Sequence, residues 1–230
     1  RGRPLIHATL GTVFNRQPAL LQAIADAAGE LDVDLVLGVG AGGSPQAIDA
    51  PPNVSVERFV SHADLIPRCD AVICHGGFGT LMAAASSGVP VCLIPLSADQ
   101  PLNSVAYAAS GAGINLAGIG DDGQWGAVDP DELGSDQIAR AVSDLLEQER
   151  YRAAARRLAA EGWLCVLVAR RRERLEALAA ELGGEVEECG LLGFFDQDLI
   201  GSVVANIITN SIRYAQQHLL VRAWEEAGVL

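Results

Sequence analysis

The sequence predicts an α/β fold, a Rossmann-like doubly wound parallel sheet with an atypical C-terminal strand–helix extension. Three observations predict it. Short apolar runs rich in Val, Ile and Leu alternate with helical patterns over residues 4–160. The runs are bounded by Gly, Pro or Asp, as expected of strands that are buried on both faces of a parallel sheet. From Gly162 the pattern changes, so we expect a first domain at 1–161 and an extension at 162–230.

The elements of the first domain follow one another in strand–helix order. The predicted strands are Pro4–Leu10, Val33–Val39, Val54–Arg58, Ala71–Cys74 and Val91–Leu96. The helical patterns are Pro18–Ala28, Ala63–Cys69, Gly79–Ser87, Gln100–Ser110, Asp131–Leu146 and Glu149–Glu161. Pro18 suits a first helical turn and Pro90 cannot continue a helix, so both mark helix boundaries. In such a sheet, ligands bind outside the carboxyl ends of the strands.

The extension shows a strand pattern at Trp163–Ala169 and a strongly charged helix at Arg170–Leu182 that ends at two glycines. A short strand is predicted at Val186–Cys189. Apolar residues at helical spacing predict one long helix over Asp198–Leu220, with Arg222–Val229 as a terminal helix or its continuation. The extension is therefore expected to add further α/β structure.

The charge balance excludes several classes of function. The net charge is −13, with 29 acidic and 16 basic residues, and none of the basic residues is a lysine. An acidic surface repels phosphate backbones and anionic lipids, so we expect no nucleic-acid and no membrane partner. The absence of lysine also removes the lysine of phosphate-binding P-loops and the Tyr-x-x-x-Lys pair of dehydrogenases. Any anionic ligand must be held locally, by backbone amides and a few side chains.

Location and metal content follow from two further patterns. No run reaches the roughly 18 apolar residues of a membrane span. The chain enters a strand at once and shows no signal peptide, so we expect a cytoplasmic protein. The five cysteines have no CxxC spacing, which indicates free thiols in a reducing compartment and no metal site.

The segment that carries most of the chemistry is His75-Gly76-Gly77-Phe78-Gly79-Thr80. It follows a predicted strand and opens a predicted helix. Glycines let backbone amides approach a ligand closely, and the free N–H groups and dipole of a helix N-terminus favour an anion. The histidine and the threonine add side-chain donors. We expect this loop to seat a diphosphate; the alternative is a plain tight turn between strand and helix.

A second polar segment, Pro95–Asn103, follows the next strand. Asp99 and Gln100 would lie beside the phosphate loop, at the carboxyl edge of the sheet. A carboxylate accepts hydrogen bonds, and an amide both donates and accepts them, so the pair suits sugar hydroxyls. The alternative for Asp99 is capping of the following helix, and both roles can hold at once.

Three segments resemble the nucleotide-sugar domain of family 1 glycosyltransferases, in particular the bacterial natural-product and macrolide enzymes, which have the GT-B fold. The segments are Thr9–Phe14, Val56–Leu65 and His75–Asn103, and the combination of HGGxGT with PLxADQPxN is highly specific. The similarity extends from about Pro4 to about Glu161. It implies that the first domain is the donor-binding half of a GT-B fold.

The resemblance implies a role for each matching position, and it implies no cofactor, because the nucleotide sugar is the substrate. The diphosphate would be held by His75, Gly76, Gly77, Gly79 and Thr80, with Gly11 and Thr12 closing over it from the first loop. The sugar would be bound by Asp99 and Gln100, and the base pocket would be lined by Phe59, Val60 and Ser61.

Two positions depart from the family pattern. Ser61 stands where the family usually has proline, which puts the rigidity of the base-pocket loop in doubt. Ala83 stands where many relatives carry a glutamate that binds ribose hydroxyls. The loss of that acceptor favours a thymidine diphosphate (TDP) sugar over a uridine diphosphate (UDP) sugar, because deoxyribose lacks one hydroxyl.

In GT-B enzymes an acceptor-binding domain normally precedes the donor domain and supplies the catalytic base. The sequence starts at the donor domain's first strand, so we expect donor binding but poor transfer unless an acceptor domain is supplied. No histidine matches that base, and no catalytic residue is assigned. The activity that the resemblance implies is inverting transfer of a hexosyl group to a hydroxyl of a small-molecule natural product.

Residues 158–175 resemble the second strand and helix of short-chain dehydrogenases. Neither that family's glycine fingerprint nor its Tyr-x-x-x-Lys pair accompanies them, since Tyr214 is followed four residues later by His218. One interpretation is a recombined or engineered chain, a chimeric scaffold without catalysis. Another is that arginine-rich helices after a strand look alike in many folds. A dehydrogenase is the least favoured alternative.

A second glycine motif has the spacing of a dinucleotide-binding fingerprint but lacks the helix that such a site needs. Gly38–Gly43 satisfies GxGxxG after a strand, and Glu57 follows at about the spacing of a ribose-binding acid. Ser44–Pro52 contains three prolines and no helical pattern. Without a helix N-terminus the fingerprint has no phosphate seat, so we expect no nicotinamide dinucleotide there.

Overall fold

The structure, a computed structural model, describes residues 2–11, 17–118, 126–161, 185–188 and 220–223. The chain divides into two compact units, Arg1–Ala160 and Glu161–Leu230. None of the helices within the described ranges is long and apolar enough to cross a membrane.

The first unit is built on one parallel sheet of six strands. They are β1 Leu5–Thr9, β2 Asp34–Gly38, β3 Val54–Glu57, β4 Ala71–Cys74, β5 Val91–Leu93 and β6 Gly113–Asn115. Their spatial order is β3-β2-β1-β4-β5-β6, and every neighbouring pair is parallel. The chain adds strands outward on one side from β1 and then restarts on its other side at β4. The point between β1 and β4 is therefore the topological switch point, where open α/β sheets bind ligands.

Six α-helices connect or cover the strands in the described part of the first unit. They are α1 Pro18–Gly29, α2 His62–Leu65, α3 Phe78–Ser86, α4 Gln100–Ala109, α5 Ser135–Glu147 and α6 Glu149–Glu161. Short 3₁₀ turns lie at Pro45–Ala47 and Ile66–Arg68. The predicted doubly wound parallel sheet is confirmed, with Pro18 in the first turn of α1 as expected.

The core explains why the strands are apolar throughout. Ile6 of β1, Leu35 of β2 and Ile73 of β4 join the buried faces of α1 and α5 in one hydrophobic cluster. Val72 and Leu93 lie outside that cluster and are equally inaccessible to solvent. Because successive strand residues point to opposite faces, burial of both sets means that both faces of the sheet are covered.

Several predicted boundaries differ from the structure. The strand β6 was not predicted, because three residues including a glycine and an asparagine carry too little pattern. The apolar run Val91–Leu96 forms a strand only as far as Leu93, and its remainder enters the loop before α4. The helix predicted over Ala63–Cys69 is a four-residue α-helix followed by a 3₁₀ turn, in which Pro67 interrupts the α-helical ladder.

The second unit contains a parallel pair, β7 Glu185–Glu188 and β8 Leu220–Ala223. β7 matches the short strand predicted at Val186–Cys189. The prediction of helix at Leu220 and at Arg222–Ala223 is wrong, because these residues pair with β7. Helical spacing of apolar residues carries no information about a strand partner more than thirty positions away. The other elements predicted for the extension lie outside the described residues.

Asp70, which precedes β4, ties the sheet to the last helix of the unit. Its Oδ2 accepts a hydrogen bond from the backbone N–H of Leu5 at 3.0 Å, and its Oδ1 accepts one from Arg152 Nη2 at 3.0 Å. One carboxylate therefore fixes the start of β1 and the position of α6. Both contacts are charge-assisted and partly shielded from solvent, which makes them stronger than a surface ion pair.

We predict that Asp70→Asn lowers the free energy of unfolding by about 1–3 kcal/mol, because an amide cannot accept from both donors with full charge. The matched control is Asp32→Asn. Asp32 makes a 3.7 Å ion pair with Arg3 and its side chain is 91% exposed, so its loss should cost less than about 1 kcal/mol. Urea unfolding followed by circular dichroism measures both. Equal losses in the two variants would show that Asp70 is no anchor.

Candidate functional site

The loops that follow β1, β4 and β5 meet at the carboxyl edge of the sheet. β1 and β4 are neighbours, with Thr9 opposite Cys74, so Gly11 and His75 leave the sheet side by side. β4 pairs in turn with β5, which brings the loop before α4 to the same edge. The strand order thus brings together the loops that carry Gly11, His75 and Asp99.

The imidazole of His75 is packed between two glycines. A Cβ atom on Gly11 would lie 2.6 Å from Cε1 of the ring, and one on Gly77 would overlap Nε2. Gly11 also has a φ of +78°, a conformation that only glycine adopts readily. Any other residue at either position would displace the histidine. The two glycines therefore set the place of the ring as well as the course of the backbone.

Gly76 brings the same loop onto α4. Its φ is +84°, and a Cβ there would overlap Ser104 Oγ and lie 3.0 Å from the carbonyl oxygen of Gln100. Asn103 Nδ2 donates to the Gly76 carbonyl at 3.2 Å. The loop after β4 is thus packed directly on the first turn of α4.

The N-terminus of α3 has no side-chain cap. Gly77 is the cap residue, and its carbonyl accepts from the N–H groups of Thr80 and Leu81 at 3.1 Å each. Gly79, at the second helical position, has no partner for its N–H in the part of the chain that the structure describes. Such groups, together with the helix dipole, provide an anion seat. Thr80 is buried in this first turn, and Thr12 lies outside the described residues.

His75 is held as a neutral imidazole. Burial lowers its pKa below the usual 6.5, and this effect outweighs the backbone of Thr9 and the carboxylate of Asp99, which raise it; His62 lowers it further. Its Nδ1 atom is buried and makes no hydrogen bond within the described residues. A neutral histidine can donate one hydrogen bond to an anion, and an approaching negative charge raises its pKa.

The loop after β5 differs from the expectation at Asp99. Asp99 occupies the cap position of α4, but its side chain makes no capping hydrogen bond. Its Oδ2 instead accepts from Asn103 Nδ2 at 2.8 Å. The capping alternative is therefore wrong for this structure, because the backbone of Asp99 is helical (φ −81°, ψ −7°) and not extended as in a capping residue.

Gln100 is buried, and its Oε1 accepts from the backbone N–H groups of Leu96 and Ser97 at 2.9 and 3.1 Å. Its acceptor is therefore committed to the loop, which leaves only the amide N–H₂ for a ligand. Ala98 has a φ of +58°, the only positive value at a described non-glycine residue. Such strain concentrates at functional loops.

The loop after β3 holds the residues predicted to line a base pocket. Phe59 is 82% exposed, whereas Val60 and Ser61 are partly buried. Ser61 has a φ of −71° and its carbonyl accepts from the N–H groups of Asp64 and Leu65. That φ is the value which proline imposes, so the serine preserves the backbone that a proline would give.

Buried His7 and partly buried His62 form a pair that was not predicted. His7 lies in β1 with no accessible surface, its Nδ1 donates to the carbonyl of Val36 at 2.9 Å, and its Nε2 has no partner among the described residues. Its ring lies 5.2 Å from that of His62, between centroids. Burial lowers the pKa of His7 to about 4, and that of His62 is lowered for the same reason. The position of His7 inside an apolar strand that is covered on both faces could have indicated its burial.

The sequence argues against two kinds of site, a dinucleotide site at Gly38–Gly43 and a metal site, and the structure describes residues relevant to both. Gly38–Gly43 is followed only by the 3₁₀ turn at Pro45–Ala47, so no α-helix begins there to receive a pyrophosphate. In the described ranges, no three His, Cys, Asp or Glu side chains come together to hold a metal ion.

A six-stranded parallel sheet of this order, with a glycine-rich loop and an uncapped helix at its switch point, defines a Rossmann-like domain. Residues 22–164 match the family model "Erythromycin biosynthesis protein CIII-like, C-terminal domain". The chain belongs to that family, the C-terminal sugar-donor domains of natural-product glycosyltransferases.

Relatives agree with this assignment. The chain is 34% identical to 4'-demethylrebeccamycin synthase of Lentzea aerocolonigenes over 158 residues, 68% of this chain and 34% of that protein. Among solved structures, SnogD from Streptomyces nogalater is similar with a TM-score of 0.56 and 30% identity, over 70% of this chain and 39% of that one. Spinosyn rhamnosyltransferase SpnG, complexed with thymidine diphosphate, has a TM-score of 0.59 and 29% identity, over 70% and 42%. The chain thus spans about a third of the length of its curated relative.

The buried state of His7 predicts an acid-sensitive fold. Between pH 6.5 and about 4 the unfolded chain binds a proton at His7 that the folded chain does not, so stability falls as the pH is lowered through this range. We expect His7→Asn, which keeps an N–H donor for Val36 but does not titrate, to reduce this loss by up to about 3 kcal/mol. Urea unfolding at pH 4.5, 5.5 and 7.5 measures it. Parallel pH profiles for the two proteins would contradict the assignment.

Proposed function

We propose that the first unit binds a nucleoside-diphosphate sugar, and that the whole enzyme transfers its hexosyl group, with inversion, to a hydroxyl of a small-molecule natural product. The observation that carries the proposal is the packing of His75 between Gly11 and Gly77, directly before the uncapped start of α3. In a chain of net charge −13, these local donors suit a diphosphate.

Each predicted residue keeps its role in this proposal. The diphosphate is bound by His75, Gly76, Gly77, Gly79, Thr80 and Gly11, with Thr12 proposed from the sequence alone. The sugar is bound by the Asp99 carboxylate and by the Gln100 amide N–H₂, since the Gln100 oxygen is occupied. The base is bound by Phe59, Val60 and Ser61, the first of which presents an exposed ring for stacking.

The proposed chemistry is direct displacement, in which the acceptor oxygen attacks the anomeric carbon and the nucleoside diphosphate leaves. His75 and the amides of α3 stabilise the negative charge that develops on the leaving phosphate. They can do so without rearrangement, because Gly11 and Gly77 already hold the ring in place. His75 acts as a hydrogen-bond donor and not as the base that deprotonates the acceptor.

We further propose that the base and the acceptor pocket belong to a second, acceptor-binding domain. Neither His7 nor His62 is suited to the task, since His7 is inaccessible and burial holds the pKa of both below 6.5. A donor domain by itself would therefore bind its nucleotide sugar and transfer poorly. Hydroxyl transfer is expected only when the acceptor domain is present.

Calorimetry with TDP tests the diphosphate site. We expect binding by the chain, with His75→Ala weakening it about tenfold or more, the effect of one hydrogen bond to a charged group. Asp99→Ala should change TDP affinity little, because TDP carries no sugar. Asp32→Ala, at the opposite end of the strands, is the matched control for a lost aspartate.

The pH dependence of the same titration has a definite sign. The pKa of His75 is lowered in the free protein and is raised by a bound phosphate, so binding takes up protons and tightens as the pH falls from 8 to 6. Absence of TDP binding by the folded chain would overturn the proposal and favour a scaffold without catalysis. Binding of NADH instead would favour the dehydrogenase alternative.

The choice of nucleotide is a separate prediction. Ala83 is buried in α3 and offers no carboxylate to a ribose 2′-hydroxyl, so we expect TDP to bind at least as tightly as UDP. SpnG, a relative, has been solved with thymidine diphosphate, which supports the same preference. Competition between the two nucleotides for the chain measures it. Clearly tighter binding of UDP would contradict the proposal for the donor while leaving the diphosphate site in place.

A further inference from the structure

One side chain joins the two halves of the proposed donor site. Asn103 Nδ2 donates one hydrogen bond to the Gly76 carbonyl at 3.2 Å and another to Asp99 Oδ2 at 2.8 Å. Gly76 belongs to the loop proposed for the diphosphate, and Asp99 is the carboxylate proposed for the sugar. Asn103 was part of the sequence motif but received no role from it.

The position of Asn103 is well defined by its surroundings. It lies one turn into α4, and its backbone N–H bonds the carbonyl of Asp99 at 3.0 Å. Gly76 packs against Gln100 and Ser104, the residues on either side of this turn. Loop and helix are therefore in contact, and an amide with two hydrogens can satisfy both partners at once.

The bond to Asp99 has a second consequence. An aspartate at a helix cap position normally accepts from the N–H groups of its own helix. Asp99 does not: its backbone is helical, with a φ of −81° and a ψ of −7°, and its Oδ2 accepts from Asn103 instead. Its other oxygen has no partner within the described residues, and the side chain is only partly buried. Asn103 thus holds one oxygen of this carboxylate and leaves the other available as an acceptor.

We propose that Asn103 is a positioning residue that holds the Asp99 carboxylate by its Oδ2, so that Oδ1 can accept a sugar hydroxyl beside the diphosphate loop. This inference rests on the proposed function. It assigns to Asn103 no contact with the ligand: the residue acts through Asp99.

A purely structural role makes a different prediction. If Asn103 only fastened the loop through Gly76, its removal would weaken TDP and TDP-glucose equally. If it positions Asp99, its removal weakens TDP-glucose alone, because TDP does not reach Asp99. The Asp99 carboxylate, which is only partly buried, would then no longer be held in place.

The experiment is calorimetry of TDP and TDP-glucose with the chain and with Asn103→Ala, Asn103→Asp, Asp99→Ala and the double variant Asp99→Ala/Asn103→Ala. Leu102→Ala, an exposed neighbour on the same turn, is the matched control. We expect both Asn103 variants to reduce the preference for TDP-glucose over TDP by about tenfold, one charge-assisted hydrogen bond. The double variant should match Asp99→Ala, because the two residues act in series.

The pKa of His75 provides a second measurement, which needs no ligand. The Asp99 charge raises the pKa of His75, which also faces His62, so an Asp99 that turns away should lower the His75 pKa measured by NMR in Asn103→Ala. An unchanged His75 pKa with an unchanged nucleotide preference would overturn the role of Asn103 alone. Failure of the unmodified chain to bind TDP would overturn the proposed function, and the inference with it.

Discussion

The close packing of the His75 ring against two backbones is the contact on which the arrangement of the site depends. Gly11 and Gly77 come from loops that follow β1 and β4, and both lack the Cβ that would occupy the volume of the ring. Only adjacent parallel strands bring such loops together, and only at the switch point do their continuations diverge to leave a crevice. The fold thus determines where the histidine lies, and the glycines determine how closely the loops approach it.

Because the chain is strongly acidic, a diphosphate site in it would have to rely on nearby backbone and side-chain donors. A net charge of −13 opposes the approach of a diphosphate, but that long-range field is screened over about 8 Å at physiological salt. In the site proposed above, an anion would meet oriented N–H dipoles and a neutral imidazole, which attract it at short range without a formal positive charge.

The sequence predicted the parallel sheet because its strands are apolar on both faces, and it predicted His75, Gly77 and Asp99 as neighbours because they follow adjacent strands. It could not predict which hydrogen-bond donors and acceptors pair where these loops come together. Asp99 stands directly before a helix, as a capping aspartate does, yet its carboxylate accepts a hydrogen bond from Asn103, one turn later. The same limit applies to β8, whose partner lies far away in the sequence.

The loop before α4 shows how such sharing prepares a site. Ala98 is held at a positive φ, which costs about 1 kcal/mol for a residue with a Cβ. The Gln100 side chain bonds two backbone amides on the other side of this residue, and these bonds offset the strain. The loop is therefore ordered before any ligand arrives, so the entropy of ordering it is not subtracted from binding. The acceptor of buried Gln100 is used by the backbone. Its two bonds hold the segment that carries Asp99 beside the loop after β4.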